Sequence, residues 1–211
     1  MWQVARIHSS PAGRGGGACP TASSAPPPAP PEKVWQTVSV KIDTDLGPIT
    51  VALEKERAPL TTANFLKYVD QKRYDGTTFY RAMNFPGWPD LGLVQGGIKS
   101  DPKRALPPVA HEPTTKTGLT HSDGAISMAR GAPGSANADF FIILGGLPGL
   151  DANPKAEGDN QGFAVFGKVT EGMDVVKQIL AQPTSATEGV GVMKGQMIAK
   201  PVLIRSVRRV P

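Results

Sequence analysis

The sequence predicts a mainly β domain: a closed eight-stranded antiparallel β-barrel capped by two α-helices. About eight short segments either alternate apolar with polar residues or are rich in β-branched and aromatic residues, as strands are. Only two segments space their apolar residues as helices do, and each interrupts the series of strands once. A parallel sheet would need crossover helices between its strands, so this order of elements favours the antiparallel barrel.

The predicted domain opens with a β-hairpin. Residues 34–42 alternate apolar and polar side chains, and residues 49–53 form a second short apolar segment. The sequence Asp-Leu-Gly-Pro at 45–48 provides the turn between them. The two segments therefore predict a pair of antiparallel strands.

A helix is predicted after Pro59, with Thr61 or Thr62 as the residue that caps its first turn. Apolar residues then recur at helical spacing, and the helix should end before the Tyr-Asp-Gly turn at 74–76. Residues 77–83 predict a strand that carries Arg81, because threonine and aromatic residues favour strands.

The segment 84–92 contains too much proline and glycine for regular structure, although it carries two large aromatic residues, Phe85 and Trp88. We expect an irregular insertion there. A short strand is predicted over 91–98, and a long polar connection follows over 99–122.

Two short apolar segments, 125–129 and 140–144, flank a loop of small residues. This loop is too long for a tight hairpin and too poor in large side chains to bury much area, so we interpret it as a surface for an extended ligand. Phe140 and Phe141 are consecutive, so one should face the core and only the other a groove.

Three further elements complete the predicted domain. A strand is predicted over 163–169, a helix over 172–181 and a terminal strand over 197–207. Pro183 lies just beyond the helix and is expected to end it.

Residues 1–33 differ in composition from the rest of the chain. They contain seven of the 21 prolines, a run of glycines and no apolar periodicity, which indicates a disordered tail or a polyproline-type spacer before a folded domain over 34–211. The single cysteine, Cys19, lies there, so an intrachain disulfide is excluded. A Pro/Ala spacer often follows an export signal; we expect an exported or periplasmic protein, with a cytoplasmic location as the alternative.

The formal net charge of +5 at pH 7 would permit an anionic partner, but the basic residues are scattered. The densest group is Arg205, Arg208 and Arg209, which alternation along the terminal strand splits between two faces. We therefore expect no nucleic-acid partner. No apolar run is long enough to span a membrane, and we expect a monomer.

The residues that usually carry hydrolytic or metal chemistry are poorly placed in this sequence. His8, His111 and His121 show no metal-ligand spacing. A serine hydrolase stays an alternative, but no Gly-x-Ser-x-Gly turn exists and neither His111 nor His121 is placed near a serine turn. The paired glycines at 96–97 and 145–146 lack the context of a phosphate-binding loop.

Five separated motifs occur in order: TTFYRA at 77–82, LVQGG at 93–97, GAISMAR at 124–130, FFI at 140–142 and FAVFGKV at 163–169. Together they resemble the bacterial cyclophilin-type peptidyl-prolyl cis-trans isomerases, over nearly the whole domain from Val38 to about Val207. The resemblance implies the barrel fold and catalysed rotation about X-Pro peptide bonds without a cofactor or metal.

The resemblance implies three catalytic residues. Arg81 hydrogen-bonds toward the prolyl nitrogen, Gln95 holds Arg81 and the substrate carbonyl, and Phe141 forms the floor of the proline pocket. A donor at the prolyl nitrogen favours the pyramidal form in which amide resonance is broken, which stabilises the transition state. The alternatives are a surface ion pair for Arg81 and a residue that merely ties down a turn for Gln95.

The pocket implied by the resemblance is apolar and includes Leu93, Leu150 and Phe163. A gapless match places Gly92 where a pocket phenylalanine is usual, and we hypothesise that Phe85 or Trp88 refills that wall. Gly149 replaces a tryptophan, so weaker binding of macrocyclic inhibitors is expected.

The small-residue loop becomes, by the same resemblance, one wall of a peptide groove. Ala129 and Arg130 occupy positions that pair with the peptide backbone, a contact that tolerates many sequences. Arg130 and Asp139 replace two neutral amides of the family pattern. We hypothesise that these two charged side chains pair with each other across the groove.

These observations predict a peptidyl-prolyl cis-trans isomerase that acts on unfolded or extended proline-containing polypeptides and assists protein folding. The changed groove residues keep one alternative open: a noncatalytic proline-peptide-binding module or chaperone on the same fold. Catalysed exchange of an X-Pro peptide, and its loss in Arg81→Ala, would distinguish the two hypotheses.

Overall fold

The computed structural model describes residues 33–211, so the predictions for the N-terminal spacer and Cys19 lie outside the described residues. The nine described strands are β1 Thr37–Thr44, β2 Gly47–Glu54, β3 Thr77–Phe85, β4 Trp88–Gly97, β5 Ala125–Met128, β6 Phe140–Leu144, β7 Ala164–Glu171, β8 Thr184–Ser185 and β9 Met197–Arg209. The α-helices are α1 Pro59–Asp70, α2 Thr114–Thr117 and α3 Met173–Leu180. Short 3₁₀ turns lie at Pro148–Leu150 and Gly191–Met193.

All strand pairs are antiparallel, and their hydrogen-bonded order is β1-β2-β7-β5-β6-β4-β3-β9. Strand β9 also pairs with β1, so these eight strands close into a barrel without unpaired edges. The two-residue β8 pairs with the start of β9. The predicted eight-stranded antiparallel barrel is confirmed, and α1 and α3 are the two predicted helices.

The core is apolar and contains a cluster of aromatic rings. Phe140 on β6 packs edge-on against three of them, with ring centroids 5.5 to 5.7 Å apart, namely Phe65, Tyr74 and Phe79. The edge-to-face arrangement is the one that aromatic quadrupoles favour. This cluster joins α1 to the inner face of the barrel.

The predicted cap of α1 was wrong. Ala58 is the N-cap residue and makes no side-chain cap, while Pro59 occupies the first turn. The first turn is instead satisfied by the buried Glu112, whose carboxylate accepts from the Thr61 backbone N–H at 2.8 Å and from the Thr61 hydroxyl at 2.7 Å. A carboxylate from a distant part of the chain thus caps the positive end of the helix.

The predicted irregular insertion at 84–92 was also wrong. Strand β3 continues through Phe85 and β4 begins at Trp88, so the segment is a hairpin in which these two aromatics are paired. Its tip lies at Pro86 and Gly87, and Gly87 has a positive φ of 84°. Pairing between β3 and β4 therefore outweighed the low strand propensity of proline and glycine. These residues are tolerated here because they lie at the exposed tip of the hairpin.

The arginines of the terminal strand are paired with acidic residues. Arg205 contacts Asp45, Arg208 contacts Asp75 and Arg209 contacts Asp70, with nitrogen to oxygen distances of 2.8, 2.7 and 2.6 Å. These ion pairs hold the pKa values of Asp70 and Asp75 below their usual range. Within residues 33–211, no helix is both long and apolar enough to cross a membrane.

Candidate active site

A groove of about 930 Å³ is lined by β3, β4, β6, the start of β9 and the loops that follow β5 and β8. It brings together nine of the predicted site residues: Arg81, Leu93, Gln95, Ala129, Arg130, Asp139, Phe141, Leu150 and Phe163. The strand register explains the centre of this set, because Arg81 pairs with Gln95 and Gln95 pairs with Phe141. Three adjacent strands thus place an arginine, a glutamine and an aromatic ring in one row across the sheet.

The Arg81 guanidinium is held from two sides. Its Nη1 donates to Oε1 of Gln95 at 2.8 Å, while Nε and Nη2 both donate to Oε1 of Gln196, at 2.9 and 2.7 Å. Nη2 also lies 3.9 Å from Sδ of Met83. Burial lowers the pKa of Arg81, but an arginine starts so high that it keeps its charge at neutral pH. The groove therefore contains an oriented, permanently charged donor.

Gln95 has a fixed orientation because arginine has no acceptor. Its Oε1 must face Arg81, so its Nε2 points the other way and donates to the Tyr80 hydroxyl at 2.8 Å. Burial and, after it, the nearby Asp139 carboxylate raise the pKa of Tyr80. Two hydrogen bonds thus connect Arg81 through Gln95 to the Tyr80 hydroxyl.

Asp139 lines the groove near Tyr80 and is held by backbone donors. The N–H groups of Lys99 and Ser100 donate to its carboxylate at 2.9 and 3.3 Å. Burial raises the pKa of the Asp139 carboxyl, whereas these hydrogen bonds oppose the rise. The carboxylate therefore holds the loop that follows β4.

The hypothesis of an ion pair between Arg130 and Asp139 was wrong. Arg130 donates to the carboxylate of Asp159 at 2.5 and 3.0 Å and to the carbonyl of Gly162 at 2.6 and 2.9 Å. Its guanidinium also lies 5.0 Å from the ring centroid of Phe163. The loop before β7 supplies closer acceptors than the opposite side of the groove, so Arg130 binds that loop.

The floor of the groove is formed by aromatic side chains that pack against one another. Phe141 stacks on His121 with centroids 5.9 Å apart and meets Phe163 edge-on at 5.4 Å. Leu93 beside it is also buried, whereas Leu150 and Phe163 are half-buried at the side. The apolar side chains of this floor and the Arg81 guanidinium line the same groove, which suits the binding of an uncharged ring beside a hydrogen-bond acceptor.

A family model described as cyclophilin type peptidyl-prolyl cis-trans isomerase/CLD matches residues 39–208. The chain belongs to this family. A peptidyl-prolyl cis-trans isomerase of Streptomyces antibioticus is 35% identical over 173 residues, which cover 81% of this chain and 97% of that protein. Peptidyl-prolyl cis-trans isomerase A of Dickeya dadantii is 37% identical over 173 residues, 80% of this chain and 83% of its own.

The barrel is also similar to solved structures. The crystal structure of a Cryptosporidium parvum cyclophilin type peptidyl-prolyl cis-trans isomerase superposes with a TM-score of 0.63 at 19% identity and covers 83% of this chain and 99% of its own. A second crystal structure of that protein, in the presence of the dipeptide Ala-Pro, gives a TM-score of 0.61. The predicted family, fold and peptidyl-prolyl isomerase activity are confirmed.

Two predicted groove residues lie elsewhere in this cyclophilin. Phe85 and Trp88 are at the exposed end of the β3–β4 hairpin and do not line the groove. A Cβ added to Gly92 would lie 2.2 Å from the Met83 carbonyl oxygen, so this register leaves no room for a side chain there. The hypothesis that Phe85 or Trp88 refills a wall was therefore wrong, and Met83 lines the groove on this side.

The structure does bring a serine, a histidine and an aspartate together, which the sequence did not indicate. His121 Nε2 lies 3.0 Å from the Ser127 hydroxyl, and His121 Nδ1 lies 2.6 Å from the Asp151 carboxylate. Ser127 is completely buried beneath the groove and does not line it. A nucleophile that a substrate cannot reach performs no hydrolysis, so we interpret this chain as support for the Phe141 floor.

Several residues of the site were not predicted from the sequence. Tyr80 and Met83 line the groove, and Gln196 accepts hydrogen bonds from Arg81. Met83 follows Arg81 by two positions, so strand periodicity already placed both side chains on one face. Gln196 had no such signal, because it follows a loop without periodicity and reaches Arg81 through the β3–β9 pairing. Among residues 33–211 there is no cluster of three potential metal ligands.

Proposed function

We propose that this cyclophilin isomerises X-Pro bonds by means of Arg81, with Gln95 and Gln196 as the residues that orient it. Rotation about the bond must break amide resonance, which opposes it with a barrier of about 18–20 kcal/mol. In the rotating state the prolyl nitrogen becomes pyramidal, and its lone pair, no longer shared with the carbonyl group, is localised on the nitrogen. An arginine N–H directed at that lone pair stabilises the rotating state more than the planar ground state.

The observation that carries this proposal is the donor inventory of Arg81. A guanidinium has five N–H donors, and Gln95 and Gln196 accept from Nη1, Nε and Nη2. The second N–H of Nη1 is then the donor that a substrate can use, while the second N–H of Nη2 lies near only the weak thioether acceptor of Met83. Phe141 and Leu93 provide the apolar floor for the prolyl ring.

The test is the replacement Arg81→Ala. We expect kcat/KM, measured by NMR exchange on an X-Pro peptide, to fall about 100- to 1000-fold, as it does when a transition-state donor is removed elsewhere. Arg81→Lys is the matched control, since it keeps the charge and loses the hydrogen bonds to both glutamines. Its kcat/KM should lie between that of wild type and that of Arg81→Ala. Unchanged kcat/KM in Arg81→Ala, with thermal unfolding like that of the wild type, would refute the mechanism.

We propose further that the substrates are extended or unfolded polypeptides and that the enzyme assists protein folding. The apolar floor of the groove suits a prolyl ring and does not require a fixed sequence around it, which supports acceptance of many proline-containing segments. The expected result is faster refolding of a protein whose slow phase is prolyl isomerisation. Equal refolding rates with wild type and Arg81→Ala would contradict this role.

For location and assembly we propose an exported or periplasmic monomer, with the cytoplasm as the alternative location. The support is the Pro/Ala-rich composition of residues 1–33, which is typical of a spacer. Release of the full-length protein by osmotic shock, together with a periplasmic marker, is the expected result. Retention with a cytoplasmic marker would reject export, and size-exclusion chromatography with light scattering would test the monomer.

A further inference from the structure

The loop between β8 and β9, residues 186–196, is built onto the strand that carries Arg81. Within the loop, the Gly195 N–H donates to the Glu188 carbonyl at 3.0 Å. At its end, the Gln196 carbonyl accepts from the Ala82 N–H at 2.9 Å, one residue after Arg81. The loop is thus closed by its own hydrogen bonds and anchored beside the guanidinium.

This loop turns two large apolar side chains outward at the groove. Val190 and Val192 are 83% and 87% exposed, yet both line the groove, as does Met193 of the same loop. A single exposed valine on a surface is ordinary. Two of them in one hydrogen-bonded turn, both facing the same cavity, form apolar surface that a bound chain would cover.

Val192 is also linked to Arg81 by a single side chain. Gln196 Nε2 donates to the Val192 carbonyl at 2.9 Å, while its Oε1 accepts from Arg81. An extended peptide advances only about 3.3–3.6 Å per residue. When the prolyl nitrogen of a bound peptide lies at Arg81, the residue next to the proline is therefore close enough to contact the loop 186–196.

We propose that Val190 and Val192 form an apolar recognition wall, which selects proline-containing segments that have a large apolar residue next to the proline. The proposal rests on the proposed function, because it uses the Arg81 groove as the place where the prolyl bond is bound. The occupant is the substrate chain itself, since the wall is continuous with the groove. Glu188 at the start of the wall disfavours an acidic residue at the same position.

The experiment compares peptides of the form Ala-X-Pro-Y. One peptide has serine at both X and Y, and in two others leucine replaces the serine at X or at Y. For each peptide, kcat/KM is measured by NMR exchange and Kd by titration, with wild type and with the double variant Val190→Ser/Val192→Ser. Wild type should prefer leucine at one of the two positions by about fivefold, the value expected for partial burial of one apolar side chain. The double variant should lose this preference, so that its kcat/KM values for the leucine peptides fall to those for the corresponding serine peptides.

Val34→Ser is the matched control, because Val34 is equally exposed and does not line the groove. The same leucine preference in wild type and in the double variant would overturn the proposal, and so would no preference in wild type. A double variant that is slower on every peptide would also overturn it, since the loop would then act on Arg81 and not on the substrate. No acceleration of any peptide by wild type would reject the proposed function instead, and the Kd values would still test the wall.

Discussion

Phe140 and Phe141 are neighbours on one strand, and the two faces of that strand differ in kind. The face of Phe140 is entirely apolar and packs against other rings of the barrel core. The face of Phe141 looks into the groove, where its ring stacks on His121 and lies in register with Gln95. The period of two in a strand thus separates a face that stabilises the barrel from a face that serves the substrate.

We therefore expect substitutions on the Phe140 face to lower the stability of the protein and substitutions on the Phe141 face to lower its activity. This separation is incomplete, however, because the groove face has its own buried polar support in His121, Ser127 and Asp151. The substitutions below test how far the two faces are independent. Each result is to be expressed per folded molecule, so that a loss of stability is not counted as a loss of catalysis.

The largest effect should come from Phe140→Ala. Phe140 is fully buried, and its removal leaves a cavity between α1 and the sheet, so we expect the free energy of unfolding to fall by about 4 kcal/mol. Urea denaturation at pH 7 measures this change. The kcat/KM of the folded fraction should stay within about twofold of wild type. A large fall in that kcat/KM would show that the two faces are coupled through the strand.

Phe141→Ala is the reciprocal test. Removal of the floor takes away the apolar surface proposed to contact the prolyl ring, so kcat/KM should fall about 10- to 100-fold. The expected loss of stability is smaller than for Phe140→Ala, because the Phe141 ring borders the groove on one side. NMR exchange gives the first quantity and urea denaturation the second. A variant that loses stability and retains kcat/KM would place Phe141 in the core instead.

Gln196→Ala should have an intermediate effect. It removes one of the two acceptors that orient Arg81, and hydrogen bonds to charged groups are worth enough for a loss of about tenfold in kcat/KM. Gln196→Glu keeps an acceptor for Arg81 and should retain more activity than Gln196→Ala. Gln182→Ala, a glutamine whose Nε2 donates to a backbone carbonyl outside the groove, is the control for loss of an amide. Equal activities of Gln196→Ala and Gln182→Ala would exclude the positioning role.

The barrel could be predicted from the sequence because each strand shows its apolar periodicity within a few residues, and because the family motifs occur in order along the chain. The opposite sides of Phe140 and Phe141 followed from the same rule and match the structure. The hairpin through Phe85 and Trp88 was missed because cross-strand pairing with a partner overrode local propensity. The Glu112 cap of α1 was missed because it is a contact between residues more than 50 positions apart.

The candidate site was predictable where the residues follow the family motifs, as for Arg81, Gln95 and Phe141. The site could not be predicted where a side chain has several possible hydrogen-bond partners in the folded protein. Arg130 binds Asp159 because folding brings the loop before β7 beside it, a proximity that no spacing in the sequence encodes. The same holds for Gln196, whose approach to Arg81 depends on the pairing of the first strand residues after a loop.

The smallest effect concerns His121, which connects the groove floor to the interior. Burial lowers the pKa of His121, and its hydrogen bond to Asp151 opposes that change. Because the pKa in the unfolded chain is about 6.5, the unfolded chain binds a proton first as the pH falls. The contribution of this residue to stability should therefore be complete above about pH 6.5 and decrease below it.

Urea midpoints measured between pH 5.5 and pH 8 test this expectation. His121→Gln should remove this part of the decrease, and His111→Gln, at a histidine that does not line the groove, is measured beside it for comparison. The same slope in wild type and in His121→Gln would contradict the assignment to His121. If kcat/KM of wild type also changes over this pH range and that of His121→Gln does not, the polar support beneath Phe141 affects catalysis. The groove face of the strand would then carry both functions, and only the Phe140 face would be purely structural.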